Sequence, residues 1–118
     1  MKHIEDDLQI ACITWFRLQF PNILIHHSPN GGFRDAREAA RFKKMGTLAG
    51  FPDLIILCPS NEEFSHALFI ELKSAKGLQT QSQKEFQQKV ITFGYAYRII
   101  RSLDEFIELV NRYLKNNN

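Results

Sequence analysis

The pattern of apolar and polar positions divides the chain into eight segments, four with a helical period and four that read as strands. Ile4, Leu8, Ala11, Trp15 and Leu18 recur on one helix face and Pro21 stops the run, so residues 4–20 are predicted to form an amphipathic helix. Residues 23–27 read as a short strand, broken by Ser28-Pro29-Asn30-Gly31-Gly32. A second helix is predicted over 34–45, with Ala36, Ala39, Ala40 and Met45 as a small packing side and Gly46 as its stop. Residues 53–58 are a continuous apolar run opened by Asp53, which implies a strand buried on both faces at the centre of a sheet. After a polar turn at 59–63, residues 67–73 return as its hairpin partner. Period 2 puts Phe69, Glu71 and Lys73 on one face of that strand and Leu68, Ile70 and Leu72 on the other.

A third helix is predicted over 81–93 from Phe86, Val90 and Phe93, with Gln83 one turn before Phe86 on the side facing the sheet. Residues 95–100 read as a strand. Ser102 and Glu105 then have the spacing of a capping box for a last helix lined by Leu103, Phe106, Ile107, Val110 and Leu114. This order implies an α/β fold with a mixed central sheet flanked by helices, in which residues 67–100 make a right-handed parallel crossover.

Composition adds few constraints. The 118 residues fit one domain over 1–118, and a 44% hydrophobic fraction with ten Phe supports a core that needs no disulfide. Cys12 and Cys58 read as reduced thiols of a cytoplasmic protein. No second Cys or His pair stands at zinc-ligand spacing beside them. The start is polar and no apolar run approaches the length of a membrane span. The net charge of +2 does not decide for or against nucleic acid, so the distribution of charge matters more. Arg34, Arg37, Arg41 and Lys44 fall at i, i+3, i+7 and i+10, a nearly single-signed face that suits a phosphate backbone.

The chemistry concentrates between Gly50 and Lys73. If Asp53 and Glu71 meet at the ends of neighbouring strands, burial and mutual repulsion disfavour both charges unless a cation lies between them. All-oxygen ligation by Asp53, Glu71 and the Leu72 carbonyl fits Mg²⁺ or Mn²⁺, with Glu5 of the first helix acting through a water. Such an ion would activate a water and stabilise charge on a phosphoryl oxygen. Lys73, on the face of Glu71, would orient that water and stabilise the transition state, with Gln83 as a further partner. The alternative for Glu71 and Lys73 is an edge-strand ion pair of little energetic worth, and for Asp53 a strand opener after proline. Glu5, Asp6 and Asp7 also suit a helix N-terminus as acids. His26 and His27 point to opposite faces of a strand and cannot share one metal. The Asn30-Gly31-Gly32 loop is either a plain turn or a place where backbone approaches a phosphate.

Gly50-Phe51-Pro52-Asp53 with Glu71-Leu72-Lys73 resembles the PD-(D/E)xK nuclease signature. With Glu5, the Ser28–Gly32 loop, the basic helix, Lys76-Gly77, Gln83 and Gly94-Tyr95, the chain resembles the stand-alone VRR-NUC domains of phages and prophages. The resemblance implies a restriction-endonuclease-like core that hydrolyses DNA phosphodiesters with Mg²⁺ or Mn²⁺. It carries the family's acids and lysine to Glu5, Asp53, Glu71 and Lys73 and its helix glutamine to Gln83; a one-residue shift would substitute Asp6 or Asp7 for Glu5. Asn30, Gly31, Gly32, Arg34, Arg37, Arg41, Lys44 and Lys76 become the expected DNA contacts. Branched DNA, such as a Holliday junction, is the expected substrate and a homodimer the expected assembly, with Tyr95, Tyr97 and the outer last helix as candidates for its interface. A non-catalytic nucleic-acid-binding module is the alternative; a sequence-specific restriction nuclease is a weaker one, because so short a chain leaves no room for a separate recognition domain.

Overall fold

The computed structural model describes residues 4–29, 35–60 and 62–115. Its elements are α1 (Ile4–Gln19), β1 (Leu24–His27), α2 (Ala36–Lys44), β2 (Leu54–Leu57), β3 (Leu68–Leu72), α3 (Gln81–Thr92), β4 (Ala96–Ile100) and α4 (Leu103–Tyr113). The four strands lie in the order β1-β2-β3-β4. The first two pairings are antiparallel and the β3–β4 pairing is parallel, so the sheet is mixed, as the restriction-endonuclease-like reading requires.

Apolar side chains cover the two faces of this sheet unequally. Leu54, Ile56, Leu68, Ile70, Leu72, Ala96 and Ile100 pack against α1 and α4 through Cys12, Phe16, Phe106, Leu109 and Val110. Trp15, Phe16, Phe20 and Phe106 meet there with ring centroids 5.4–6.4 Å apart. The opposite face carries a smaller cluster of Phe69, Val90 and Tyr97, flanked by Phe51, Ile55, Phe86 and Ile99. There α3 covers β3 and β4, while Leu24 and Leu57 remain exposed.

Several elements differ from their sequence expectation for identifiable reasons. In α1 the buried row is Leu8, Cys12, Phe16 and Phe20; Ile4 and Leu18 are 70% and 75% exposed. Both rows are apolar, and the one carrying Cys12, Phe16 and Phe20 takes the core, with Trp15 partly buried beside it. The strand buried along its whole length is β3, not β2. The apolar run of β2 reflects one buried face, Leu54 and Ile56, beside a half-covered one. Helix α2 buries no residue, and Ala36, Ala40 and Met45 lie exposed; half-buried Phe42 is its inward anchor. Phe93 is the C-cap of α3 and is 73% exposed, because the helix ends one residue before it.

Caps fix the helix ends. Asp35 caps α2 by accepting the Glu38 N–H at 2.8 Å. Gly46 and Gly94, at φ +114° and +92°, close Schellman motifs in which Thr47 N–H bonds Phe42 C=O and Tyr95 N–H bonds Val90 C=O. At α4 the Ser102 hydroxyl accepts the Glu105 N–H, but Glu105 reaches the Arg101 N–H instead of that of Ser102. The reciprocal capping box is found at α3, between Thr80 and Gln83.

Candidate metal and nuclease site

The site forms where β2 begins and β3 ends. The antiparallel register pairs Leu54 with Ile70, and one residue further it sets Asp53 opposite Glu71. Asp53 lies just before the ladder, so its side chain is free to turn to its neighbour. Its Oδ2 accepts the Leu72 N–H at 2.7 Å, replacing the ladder bond that β2 no longer supplies. In an extended strand a residue's N–H and C=O point to the same edge, so the Leu72 carbonyl points to the edge on which Asp53 sits. The Asp53 carbonyl is held in turn by the His27 ring, Nδ1 to O 2.9 Å, and by the Ser28 N–H at 3.3 Å. Because a carbonyl only accepts, His27 carries its hydrogen on Nδ1. The histidine therefore positions the loop of Asp53.

Glu71 has no exposed surface. Its Oε1 accepts from the Tyr97 hydroxyl and from Gln79 Nε2, the latter at 3.2 Å. Gln79 also donates to Gln87 Oε1 at 2.8 Å. Its Oε2, equally buried, has no hydrogen-bond partner; Lys73 Nζ stands 3.7 Å away. Burial pushes the Asp53 carboxyl up from its ordinary value, opposed by the Leu72 N–H; the charges of Glu71 and Glu5 push it further up and His27 pulls it down. Burial and the hydrogen bond to Glu71 push the Tyr97 phenol far up, so the hydroxyl keeps its proton and is the donor of that pair.

Of the first-turn acids, Glu5 is hydrogen-bonded to the turn that follows Lys73. It lies on the row of Cys12 and Phe16, which faces the sheet, and its Oε2 accepts the Ser74 N–H at 3.3 Å. Glu5, Asp6, Ile4 and Ser74 line an open cleft of about 320 Å³ beside the carboxylates. The turn after Lys73 is fixed by Arg101, whose guanidinium donates to the Ser74 and Gly77 carbonyls at 2.7 and 2.8 Å. Lys76 is exposed on that turn.

The structure brings Glu5, Asp53, Glu71, Leu72 and Lys73 together. The Gln83 Oε1 accepts the Thr80 N–H at 2.8 Å within the α3 cap, and Gln79 is the glutamine that touches Glu71. Tyr97, a candidate for an exposed interface, is only 3% exposed and faces Glu71. Arg37, Arg41 and Lys44 are exposed on α2, with the Arg41 guanidinium 5.0 Å from the Phe42 ring centroid. Asn30, Gly31, Gly32 and Arg34 lie outside the described residues. Sequence reasoning assigned Tyr97 to an interface instead of the site and passed over Gln79 and Gln87. Period 2 on β4, with Phe69 paired to Tyr97 and Glu71 to Ile99, carries the signal for Tyr97.

A buried carboxylate oxygen without a donor costs free energy and calls for a partner. Among the described residues no three Asp, Glu, His or Cys side chains close a cage. Two carboxylates, a backbone carbonyl and an open side are the kind of oxygen set that Mg²⁺ uses together with water and substrate phosphate. The donor set therefore fits a hard divalent cation.

An acid at the start of one strand and a Glu-x-Lys at the end of its antiparallel neighbour, within a mixed sheet flanked by helices, define a restriction-endonuclease-like core. A profile of the VRR-NUC domain matches residues 4–104, and the chain belongs to that nuclease domain family. A solved structure described as a VRR_NUC domain protein superposes with a TM-score of 0.80 at 32% identity, covering 98% of this chain and 91% of that one. No curated protein matches the chain significantly. Among the described residues no helix is long and apolar enough to cross a membrane.

Proposed function

We propose that the protein is a Mg²⁺- or Mn²⁺-dependent DNA endonuclease that acts on branched DNA as a homodimer. The observation that carries the metal-dependent reading is the buried Glu71 Oε2, without a hydrogen-bond partner, beside an Asp53 whose carboxyl is pushed up. Asp53, Glu71 and the Leu72 carbonyl would hold the cation, with Glu5 at the rim. When bound, the cation supplies Lewis-acid stabilisation for charge developing on the phosphoryl oxygen.

The chain's own groups do the rest. The Lys73 ammonium, 12% exposed at the end of β3, orients the attacking water and donates to the oxygens of the pentacoordinate phosphorus. His27 and Ser28 hold the Asp53 backbone, and Arg101 holds the turn that follows Lys73. The exposed Arg37, Arg41 and Lys44 meet DNA phosphates, and Lys76 adds a contact beside the site. Branched DNA and the dimer rest on the family likeness: two copies related by a twofold axis present two sites to two strands.

The test is cleavage of a four-way junction against matched duplex, single-stranded and flap DNA, with Mg²⁺, Mn²⁺ or EDTA. Metal-dependent cleavage of the junction by the wild type, lost in Asp53→Ala, is the expected result. Identical behaviour of the two proteins on every substrate refutes the catalytic reading. Salt-dependent binding without cleavage would identify a binding module instead.

A further inference from the structure

The two oxygens of Glu71 are treated differently by the fold. Oε1 takes two donors, the Tyr97 hydroxyl and Gln79 Nε2, while Oε2, in the same buried place, takes none. A carboxylate buried only for structural reasons would be expected to have both oxygens satisfied. Here the donors converge on the oxygen away from Lys73 and leave the other to cations. We propose that Tyr97 and Gln79 are positioning residues that lock the Glu71 carboxylate by Oε1 and thereby present Oε2 to the divalent ion. The proposal rests on the metal-dependent reading above.

Both donors are themselves fixed. The Tyr97 ring is wedged in the cluster of Phe69 and Val90, on the strand paired in parallel with that of Glu71. Gln79 precedes the α3 cap, and its amide is shared between Glu71 and Gln87, so its carboxylate-binding hydrogen is aimed by the helix. Without them Glu71 can rotate about its terminal bond and turn Oε2 away from Lys73 into the protein interior. Partners that orient a ligand in this way commonly alter metal affinity about 10- to 100-fold when removed.

The experiment is Mn²⁺ titration by calorimetry on the full chain without DNA, for wild type, Tyr97→Phe, Gln79→Met and Phe86→Leu. Tyr97→Phe keeps the ring and loses the donor. Gln79→Met keeps the length of a half-buried loop side chain and serves if Tyr97→Phe does not fold. Phe86→Leu loosens the same aromatic cluster without touching the carboxylate. The expected result is an Mn²⁺ Kd raised about tenfold in Tyr97→Phe and by a smaller factor in Gln79→Met, with Phe86→Leu close to wild type. In EDTA, all four should bind DNA alike. Unchanged Mn²⁺ affinity in both donor variants overturns the proposal while leaving the nuclease reading intact. An equal loss in Phe86→Leu also overturns it, because general loosening would then explain the effect. A wild type that binds no Mn²⁺ refutes the metal-dependent reading and this proposal with it.

Discussion

Gly50 offers a direct test of how the catalytic loop is tied to α3. Its φ is +79°, and a Cβ at this position would lie 2.2 Å from the Ser82 carbonyl oxygen, 2.5 Å from its carbon and 2.8 Å from the Gln83 nitrogen. All three atoms are backbone of the first turn of α3, so no side chain can swing aside. Opening the closest contact to an ordinary separation needs a movement of about 1 Å between loop and helix. For Gly50→Ala the left-handed conformation costs about 1–2 kcal/mol and the overpacking about 1–3 kcal/mol more, roughly 2–5 kcal/mol in all. That is a large fraction of the 5–15 kcal/mol typical of a whole domain.

Gly94 provides the control within the same protein. It has φ +92°, and a Cβ added there would meet nothing within 4 Å, so Gly94→Ala should show the conformational cost alone, about 1–2 kcal/mol. Urea unfolding, followed by the fluorescence of half-buried Trp15, measures both variants. The difference between them isolates the close approach to α3. If Gly50→Ala is no less stable than Gly94→Ala, the loop is not clamped to the helix as described. The same variant should cleave more slowly, because the loop carries Asp53 and the helix end lies beside Gln79.

Two further outcomes follow from charge. Burial pushes the Cys12 thiol from 9.0 up to about 12, and the Tyr97 and Tyr113 phenols above their ordinary 10.0, so the native state keeps protons that the unfolded chain releases. Their contribution to stability is complete below the unfolded values and falls as pH rises from 9 toward 12; the urea midpoint should drop over that range, and a flat or rising midpoint would contradict the burial argument. Replacing Arg37, Arg41 and Lys44 together by Ala should lower the slope of log K against log salt for duplex DNA by about 2–3, measured in EDTA, since each phosphate contact contributes about 0.9. An unchanged slope would remove α2 from the DNA surface.

How far the site was legible depends on which rule places each residue. On strands the rule is rigid. Period 2 sets Glu71 and Lys73 on one face, and a hairpin register then brings Asp53 opposite Glu71. Burial was harder to read, since β2 and β3 look equally apolar in sequence and both are paired on two sides; what separates them is that β3 lies beneath α3, with Phe69 packed on Val90 and Phe86. On helices the rule is softer. α1 has two apolar rows, and only packing on the sheet chooses between them; that choice also turns Glu5 toward Ser74.

That Gln79 and not Gln83 touches Glu71 has the same physical origin. A glutamine three residues after a threonine completes a capping box, and the orphan N–H groups of the first turn are satisfied locally by whichever side chain is nearest. The Gln83 Oε1 is thereby taken up by the cap, while its amide nitrogen keeps two donor hydrogens. Gln79, preceding the cap, has no such duty and reaches across to Glu71. Local capping demand thus turns one glutamine to the cap and leaves the other to the carboxylate. The β4 strand makes the complementary point: Tyr97 and Ile99 share the face of Glu71, but only Tyr97 has a donor with which to use that position.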